Sequence, residues 1–254
     1  MSVGDELVAF GRELDAARAA QVGEGFSGRP EVDEWLRADP NAFLIGTLFT
    51  QGIPAERAWS APWELRGRLG HLDVARIASM DATEVEVALT QRPMLHRFKH
   101  TLPRYIVGTA RLLVERYAGD ASRVWADEPT ADVLLDRLSE FPGIGHKKAA
   151  MTVELLIRAL GVRVRDHTGA RLPYDVHVRR VMLRTGLASA DDREQMHRAA
   201  QALAPERPSL VDLPLWLIGR TWCRPKAPRC EECRLGAVCP RFVDRAVDGV
   251  GVRR

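Results

Sequence analysis

Cysteine is nearly absent from this chain, and what there is sits in one place: all four residues fall between Cys223 and Cys239. A disulfide scaffold would spread its cysteines over the fold, so one is excluded; the clustering reads as a metal site. Aromatic residues make up only 6%, and strand-like alternation is confined to Val162-Arg163-Val164-Arg165, which argues against a sheet protein. No apolar run reaches the length of a membrane span; the longest, around 43–49 and 153–160, are broken by glycine or charge. Residues 1–21 carry Asp5, Glu6, Glu13 and Asp15, a pattern unlike a secretory signal, so a cytoplasmic protein is expected. Excess charge is also lacking. Lys and Arg number 37 against 34 Asp and Glu, a net of +3, which permits nucleic-acid binding without requiring it.

What is present is helical periodicity. Leu7, Phe10, Leu14 and Ala17 recur at three-to-four residue spacing over 5–21, an amphipathic helix. A Gly- and Pro-bearing linker follows at 23–30. Asp39-Pro40 is a helix start, a capping carboxylate followed by Pro where its missing donor costs nothing. The helix it opens, 41–51, is apolar all round and is predicted to be central and buried. Further helices are predicted at 55–69, 73–79, 82–91, 102–118, 130–141, 147–160, 175–185, 191–203 and 213–222. The fold class is all-α.

Two local patterns carry chemistry. Phe141-Pro142-Gly143-Ile144-Gly145-His146-Lys147-Lys148-Ala149 lies between two predicted helices. Pro142 stops the first, the two glycines permit a tight turn, and Ile144 is placed to point inward. Such a turn leaves backbone N–H groups free at a helix N-terminus, a site for a phosphate, with Lys147 and Lys148 beside it. A simple helix–turn–helix corner is the plainer reading. The cysteines are spaced C-x6-C-x2-C-x5-C at Cys223, Cys230, Cys233 and Cys239. Thiolates select zinc or iron–sulfur clusters. A structural zinc site normally uses two short knuckles, and only Cys230–Cys233 is one, which favours a loop around a cubane over zinc. Arg220, Arg224, Lys226, Arg229, Arg234 and Arg241 surround it, a basic surface for phosphates or merely a solvated one.

The hairpin, the stretch Tyr174-Asp175-Val176-His177, the run Trp216-Leu217-Ile218-Gly219-Arg220 and the cysteine spacing together resemble endonuclease III and the wider helix-hairpin-helix glycosylase superfamily, from about Asp39 to Phe242. The resemblance implies a six-helix barrel with the hairpin at 33–160, a second helical domain from 1–32 and 161–254 bearing a [4Fe-4S] cluster on the four cysteines, and an active-site cleft between them. It implies a base-excision glycosylase acting as a monomer on double-stranded DNA with a damaged or mismatched base, in the cytoplasm at the nucleoid and away from membranes. Lys147 takes the place of the family's nucleophile and Asp175 that of its essential carboxylate. Gln51 takes the place of a residue that fills the gap left by an extruded base. Pro142, Gly143, Ile144, Gly145, Lys148 and Arg179 are expected at the DNA.

Plainer readings stand beside these. Lys147 could be a phosphate ligand only, Asp175 a helix cap, Gln51 a helix-end polar residue, His177 an orienting group and His146 a surface one. Bifunctional glycosylase and abasic-site lyase is the favoured activity. A monofunctional enzyme for uracil or thymine mismatches or alkylated bases, and a non-catalytic lesion binder, are the alternatives. Several segments depart from the family pattern. Residues 161–173, with 166–171 among them, look like an insertion before Asp175, and Tyr174 stands where a small aliphatic residue is usual. In 92–100, Met94 or Leu95 is the candidate intercalating residue, with His96, Arg97, Lys99 and His100 on phosphates.

Overall fold

The computed structural model describes residues 2–20 and 25–246; Gln21 of the first predicted helix and Gly23 of the linker lie outside them. Every regular element among these residues is helical, and no strand occurs. The chain forms two compact units, one of Gly23–Arg165, the other of Met1–Val22 with Asp166–Arg254.

In chain order the helices are α1 (Val3–Ala20), α2 (Pro30–Ala38), α3 (Pro40–Phe49), α4 (Ala55–Leu69), α5 (Val74–Ser79), α6 (Ala82–Thr90), α7 (Thr101–Tyr117), α8 (Ala131–Ser139), α9 (His146–Ala159), α10 (Val176–Thr185), α11 (Arg193–Leu203) and α12 (Asp212–Thr221). The first unit is built from α2 to α9. Its centre is α3, where every residue from Ala42 to Phe49 is buried, as its all-round apolar sequence requires. Asp39 caps it by accepting from Ala42 N–H at 3.0 Å. Phe43 stacks on Trp59 of α4 at 5.1 Å between ring centres. Gly46 permits this approach, since a Cβ there would lie 2.9 Å from the Trp59 ring. Asn41 ties the start of α3 to the end of α7, donating to Gly119 O at 2.9 Å and accepting from Ala121 N at 2.8 Å.

Helix α2 was not among the predicted elements. Its nine residues present only Val32, Trp35 and Leu36 as sizeable apolar groups, yet these fall at i, i+3 and i+4, and Pro30 occupies its first turn. Its buried Asp33 organises the preceding loop through one oxygen. Oδ1 accepts from Phe26 N at 3.0 Å, Ser27 N at 2.7 Å and Ser27 Oγ at 2.7 Å.

In the second unit α1, α10, α11 and α12 enclose a core of Leu7, Val178, Val181, Met182, Met196, Val211, Leu215 and Ile218. Leu172 belongs to the same core, so the stretch before Asp175 is anchored by a buried side chain. Asp166 shapes its beginning, accepting from Thr168 N at 2.8 Å and Thr168 Oγ1 at 2.7 Å.

Asp33→Ala strands three donors in a buried loop and is expected to lower stability by about 3 kcal/mol, a fall in Tm of roughly 10 °C. Asp33→Asn keeps the accepting oxygen and should lose well under half of that; calorimetric melts of the two variants check the ordering.

Candidate nucleic-acid interface and cysteine loop

The hairpin joins α8 to α9 as a packed corner. Phe141 and Ile144 are each 1% exposed, and Ile144 N–H donates to Phe141 O at 3.0 Å, closing the turn. Gly143 takes φ +81° and lies against Tyr105 of α7; a Cβ at this position would meet the ring at 2.3 Å. Gly145 is the N-cap of α9 and offers no side chain to it. The first-turn amides of α9 therefore have no side-chain cap, and the helix dipole stands behind them. Pro142 and Gly143 are half-buried, whereas Gly145 and Lys147 are exposed. The arrangement suits an oxyanion on the first turn of α9.

Lys148 is placed differently from Lys147. Its Nζ turns inward and donates to Leu48 O at 3.0 Å, at the C-terminal end of α3. Burial pulls its pKa down to about 8. It lines a pocket of about 180 Å³ with Leu48, Gln51, Phe98, Thr101, Leu102 and Tyr105. Lys148 is thus tied to the helix end and not displayed beside a phosphate, which corrects the expectation that it adds surface charge.

Gln51 lies beyond the end of α3, in an exposed turn with Gly52 at φ +77°. His96, 1% exposed, reaches this turn: its Nε2 lies 3.0 Å from Gln51 O, while Phe98 N–H donates to its Nδ1 at 3.1 Å. Because Gln51 O can only accept, the proton sits on Nε2 and the ring is neutral. Burial lowers the pKa of His96, in keeping with that state. Leu95 is 6% exposed. Leu95 and His96 therefore belong to the interior, against the expectation of an intercalating Leu95 and a phosphate-binding His96. Met94 is 39% exposed, with its carbonyl held by the Arg57 guanidinium.

In the second unit Asp175 is the N-cap of α10. Its Oδ1 accepts from His177 N at 2.8 Å and Val178 N at 2.9 Å. Among the described residues its Oδ2 accepts no hydrogen bond. Tyr174 is bound through its hydroxyl to Asp191 and lies under the Arg193 guanidinium at 5.4 Å; burial, then the Asp191 contact, push its pKa up to about 12. Arg179, expected at DNA, pairs with Asp191 at 3.1 Å. His177 lies 3.1 Å from Arg180 Nη2 and meets Trp216 edge-on, an orienting position. His146 is half-buried.

Cys223, Cys230, Cys233 and Cys239 line one cavity with Val181, Ile218, Trp222 and Leu235, and none forms a disulfide. Burial, followed by the neighbouring thiols, pushes Cys233 and Cys239 up. Among the described residues no three His, Cys, Asp or Glu side chains converge as a single ion would require. Gly236 lets the loop turn this tightly, since a Cβ there would lie 2.5 Å from Cys230 O. Arg184 braces the first arm, donating to Arg224 O at 2.7 Å and Pro225 O at 3.0 Å, with Nη1 3.8 Å from Cys223 Sγ. The basic surface is smaller than the sequence implies. Arg229 pairs with Glu232, Arg241 with Glu231 and Arg234 with Glu13, while Arg220, Arg224 and Lys226 are exposed and, among the described residues, form no ion pair.

No family model matches the chain. Endonuclease III of Synechocystis sp. (strain ATCC 27184 / PCC 6803 / Kazusa) is 26% identical over 205 residues, covering 79% of this chain and 81% of that protein. Endonuclease III of Thermotoga maritima (strain ATCC 43589 / DSM 3109 / JCM 10099 / NBRC 100826 / MSB8) is 31% identical over 140 residues, 53% of this chain and 54% of that one. A solved non-covalent endonuclease III–DNA complex shares the fold with a TM-score of 0.63 at 18% identity, covering 94% of this chain and 96% of that chain.

Gly143→Ala must place a side chain at positive φ against Tyr105, and a cost of about 1–2 kcal/mol is expected from the backbone alone. Gly145→Ala meets nothing within 4 Å at φ −75° and should melt like the parent. Urea titrations of both variants test whether the hairpin is the packed corner described above.

Proposed function

We propose that this chain, which is endonuclease III-like in sequence and in fold, is a DNA base-excision glycosylase with abasic-site lyase activity. The observation that carries the reading is the division of labour within Asp175. One oxygen caps α10 and the other accepts nothing among the described residues, so the carboxylate is held in place and still has a charged edge to offer. Base removal requires the nucleotide to leave the stack, and a side chain such as Gln51 offsets part of that loss by entering the gap. Cleavage of the glycosidic bond builds positive charge on the sugar, which a fixed carboxylate stabilises. Lys147, in the first turn of α9, is assigned the attack. Its neutral amine bonds to C1′ as the bond to the base breaks; the proton it sheds passes to O4′ as the C1′–O4′ bond opens to give the Schiff base, and removal of a C2′ proton then breaks the C3′–O bond, expels the 3′ phosphate and nicks the strand. The uncapped N-terminus of α9 and the Gly143–Gly145 turn are assigned the phosphate contact.

Four thiols lining one cavity, with only Cys230 and Cys233 in a short knuckle, support a [4Fe-4S] cluster over zinc. Cys223, Cys230, Cys233 and Cys239 would hold it, and when bound it neutralises four thiolates that otherwise repel and fixes the loop around them. The partner is double-stranded DNA carrying a damaged base. No helix among the described residues is long and apolar enough to cross a membrane.

A second reading for the amine rests on Lys148. It is the lysine whose pKa is depressed, and it lines the pocket beside Gln51. Borohydride trapping on duplexes carrying an abasic site, thymine glycol or dihydrouracil separates the two. On the main reading the covalent adduct disappears in Lys147→Ala and persists in Lys148→Met. On the second it disappears in Lys148→Met, and in the parent its yield climbs as pH rises through about 8, where Lys148 loses its proton. No adduct from any substrate, with base release intact, would leave a monofunctional glycosylase. Asn caps helices as well as Asp, so Asp175→Asn should stay within about 1 kcal/mol of the parent in stability while base release falls by about 100-fold or more. Undiminished release would remove Asp175 from the chemistry.

Protein purified without chelator is expected to be brown and to carry about four irons per chain, with colour and iron lost together in Cys233→Ser. Colourless protein with one bound zinc overturns the cluster assignment.

A further inference from the structure

The turn that carries Gln51 is held by groups that come from far along the chain. α3 ends at Phe49 inside the unit, where water cannot solvate its last carbonyls. Thr50 Oγ1 donates to Thr47 O at 2.8 Å and Lys148 Nζ to Leu48 O at 3.0 Å. The carbonyl of Gln51 itself is taken by His96 Nε2 at 3.0 Å. His96 is in turn held by Phe98 N–H on Nδ1 at 3.1 Å, by an edge-on contact with Phe49 at 6.0 Å and by the tilted ring of Phe98 at 5.2 Å. Arg97 lies against Gly52, which has no room for a Cβ on that side. The segment before His96 is fixed independently. Arg68 donates to Gln91 O at 2.9 Å and to Pro93 O at 2.6 Å, and Leu95 N–H donates to Leu89 O at 2.9 Å.

We propose that His96 is a positioning residue for base extrusion: a buried neutral imidazole that ties the 94–98 segment to the Gln51 carbonyl and so presents the Gln51 side chain to the duplex already shaped. The inference rests on the assignment of Gln51 as the gap-filling residue. The physical argument is one of preorganisation. An exposed turn with a glycine at positive φ samples many conformations, and ordering it at the moment of binding subtracts from the energy available for extrusion. A hydrogen bond from a 1%-exposed ring to the main chain of the gap-filling residue orders it beforehand.

The chemistry of the imidazole supplies a discriminating set of variants. Glutamine reaches as far as Nε2, so His96→Gln keeps a donor for Gln51 O. Asparagine stops at the position of Nδ1, so His96→Asn keeps the acceptor for Phe98 N–H and loses the Gln51 bond. The readouts are thermal melting, base release under single turnover, and fluorescence of 2-aminopurine placed opposite the lesion, which reports entry into the duplex. His96→Asn is expected to slow release and to cut the fluorescence change by about tenfold, the worth of one buried hydrogen bond, while His96→Gln stays near the parent. In a Gln51→Ala background His96→Asn should have no further effect on either readout, because the group being positioned is gone.

Equal losses for His96→Asn in the parent and in the Gln51→Ala background would show that His96 serves the general fold, and would overturn the proposal. Loss of folding in His96→Asn with a normal His96→Gln is read through Lys148→Met, which releases the same helix end from the other side. A fluorescence loss there that vanishes without Gln51 supports the positioning of this turn, and one that persists overturns it. The underlying assignment fails separately: Gln51→Ala alone would then leave the fluorescence change intact.

Discussion

A helix buried on every side cannot leave its last carbonyls to water, and this constraint shapes the unit that carries the hairpin. Helix α3 ends in the interior at Phe49, so its terminal oxygens must find donors within the protein. They find them on Thr50 and on Lys148 at the start of α9, while His96 in the segment after α6 holds the carbonyl of Gln51 in the turn that follows. An ammonium is well placed there, since the helix dipole adds to the hydrogen bond. The consequence is topological. Three stretches distant in sequence, the Gln51 turn, the 94–98 segment and the first turn of the hairpin helix, are pinned to one helix end. The position of Lys148 follows from this need more than from any need for surface charge, and its depressed pKa is the electrostatic cost of serving it.

Caps show how far local sequence carries an inference. Asp39, Asp73, Asp81, Asp120 and Asp192 each accept from an amide in the turn they open. A capping aspartate is therefore this chain's ordinary way of starting a helix, and the cap alone does not distinguish Asp175 from the others. What sets Asp175 apart is its setting between Tyr174 and His177, each already engaged elsewhere. The Tyr174 hydroxyl is bound to Asp191, and His177 lies against Arg180 and Trp216. The neighbours of the carboxylate are committed to the fold, and among the described residues its second oxygen accepts no hydrogen bond.

The helices and the hairpin were legible because their signals are local. The apolar run 42–49, the Pro-Gly-Ile-Gly turn with its inward Ile144, and Asp or Pro at helix starts each encode structure within a few residues. Helix α2 escaped because its apolar face is three residues wide and follows a glycine-rich linker; Val32, Trp35 and Leu36 at i, i+3 and i+4 after Pro30 were the available signal. The inward turn of Lys148 and the burial of Leu95 and His96 were not legible at all. In sequence Lys147 and Lys148 are twins, and Met94-Leu95-His96-Arg97 is an ordinary basic-apolar stretch. Only the packing of α7 and α9 against the end of α3 separates one lysine from the other, and one wedge candidate from a core residue.

The cysteine loop gives the same lesson with opposite sign. Its six cations suggest a strongly positive surface, yet three are paired with Glu13, Glu231 and Glu232, and Arg220 lies over Trp216 at 4.9 Å. Exposed pairs of this kind contribute little to stability, but they cancel charge in a loop whose cations crowd around half-buried thiols. Arg184 does similar work inside, giving its donors to two loop carbonyls beside Cys223. The loop is thus arranged first to hold four sulfurs in one cavity, and among the described residues Arg220, Arg224 and Lys226 are its exposed cations without an ion pair. The first turn of α9 differs in kind from this loop: its amides have no side-chain cap, the helix dipole stands behind them, and no acidic residue occupies the turn.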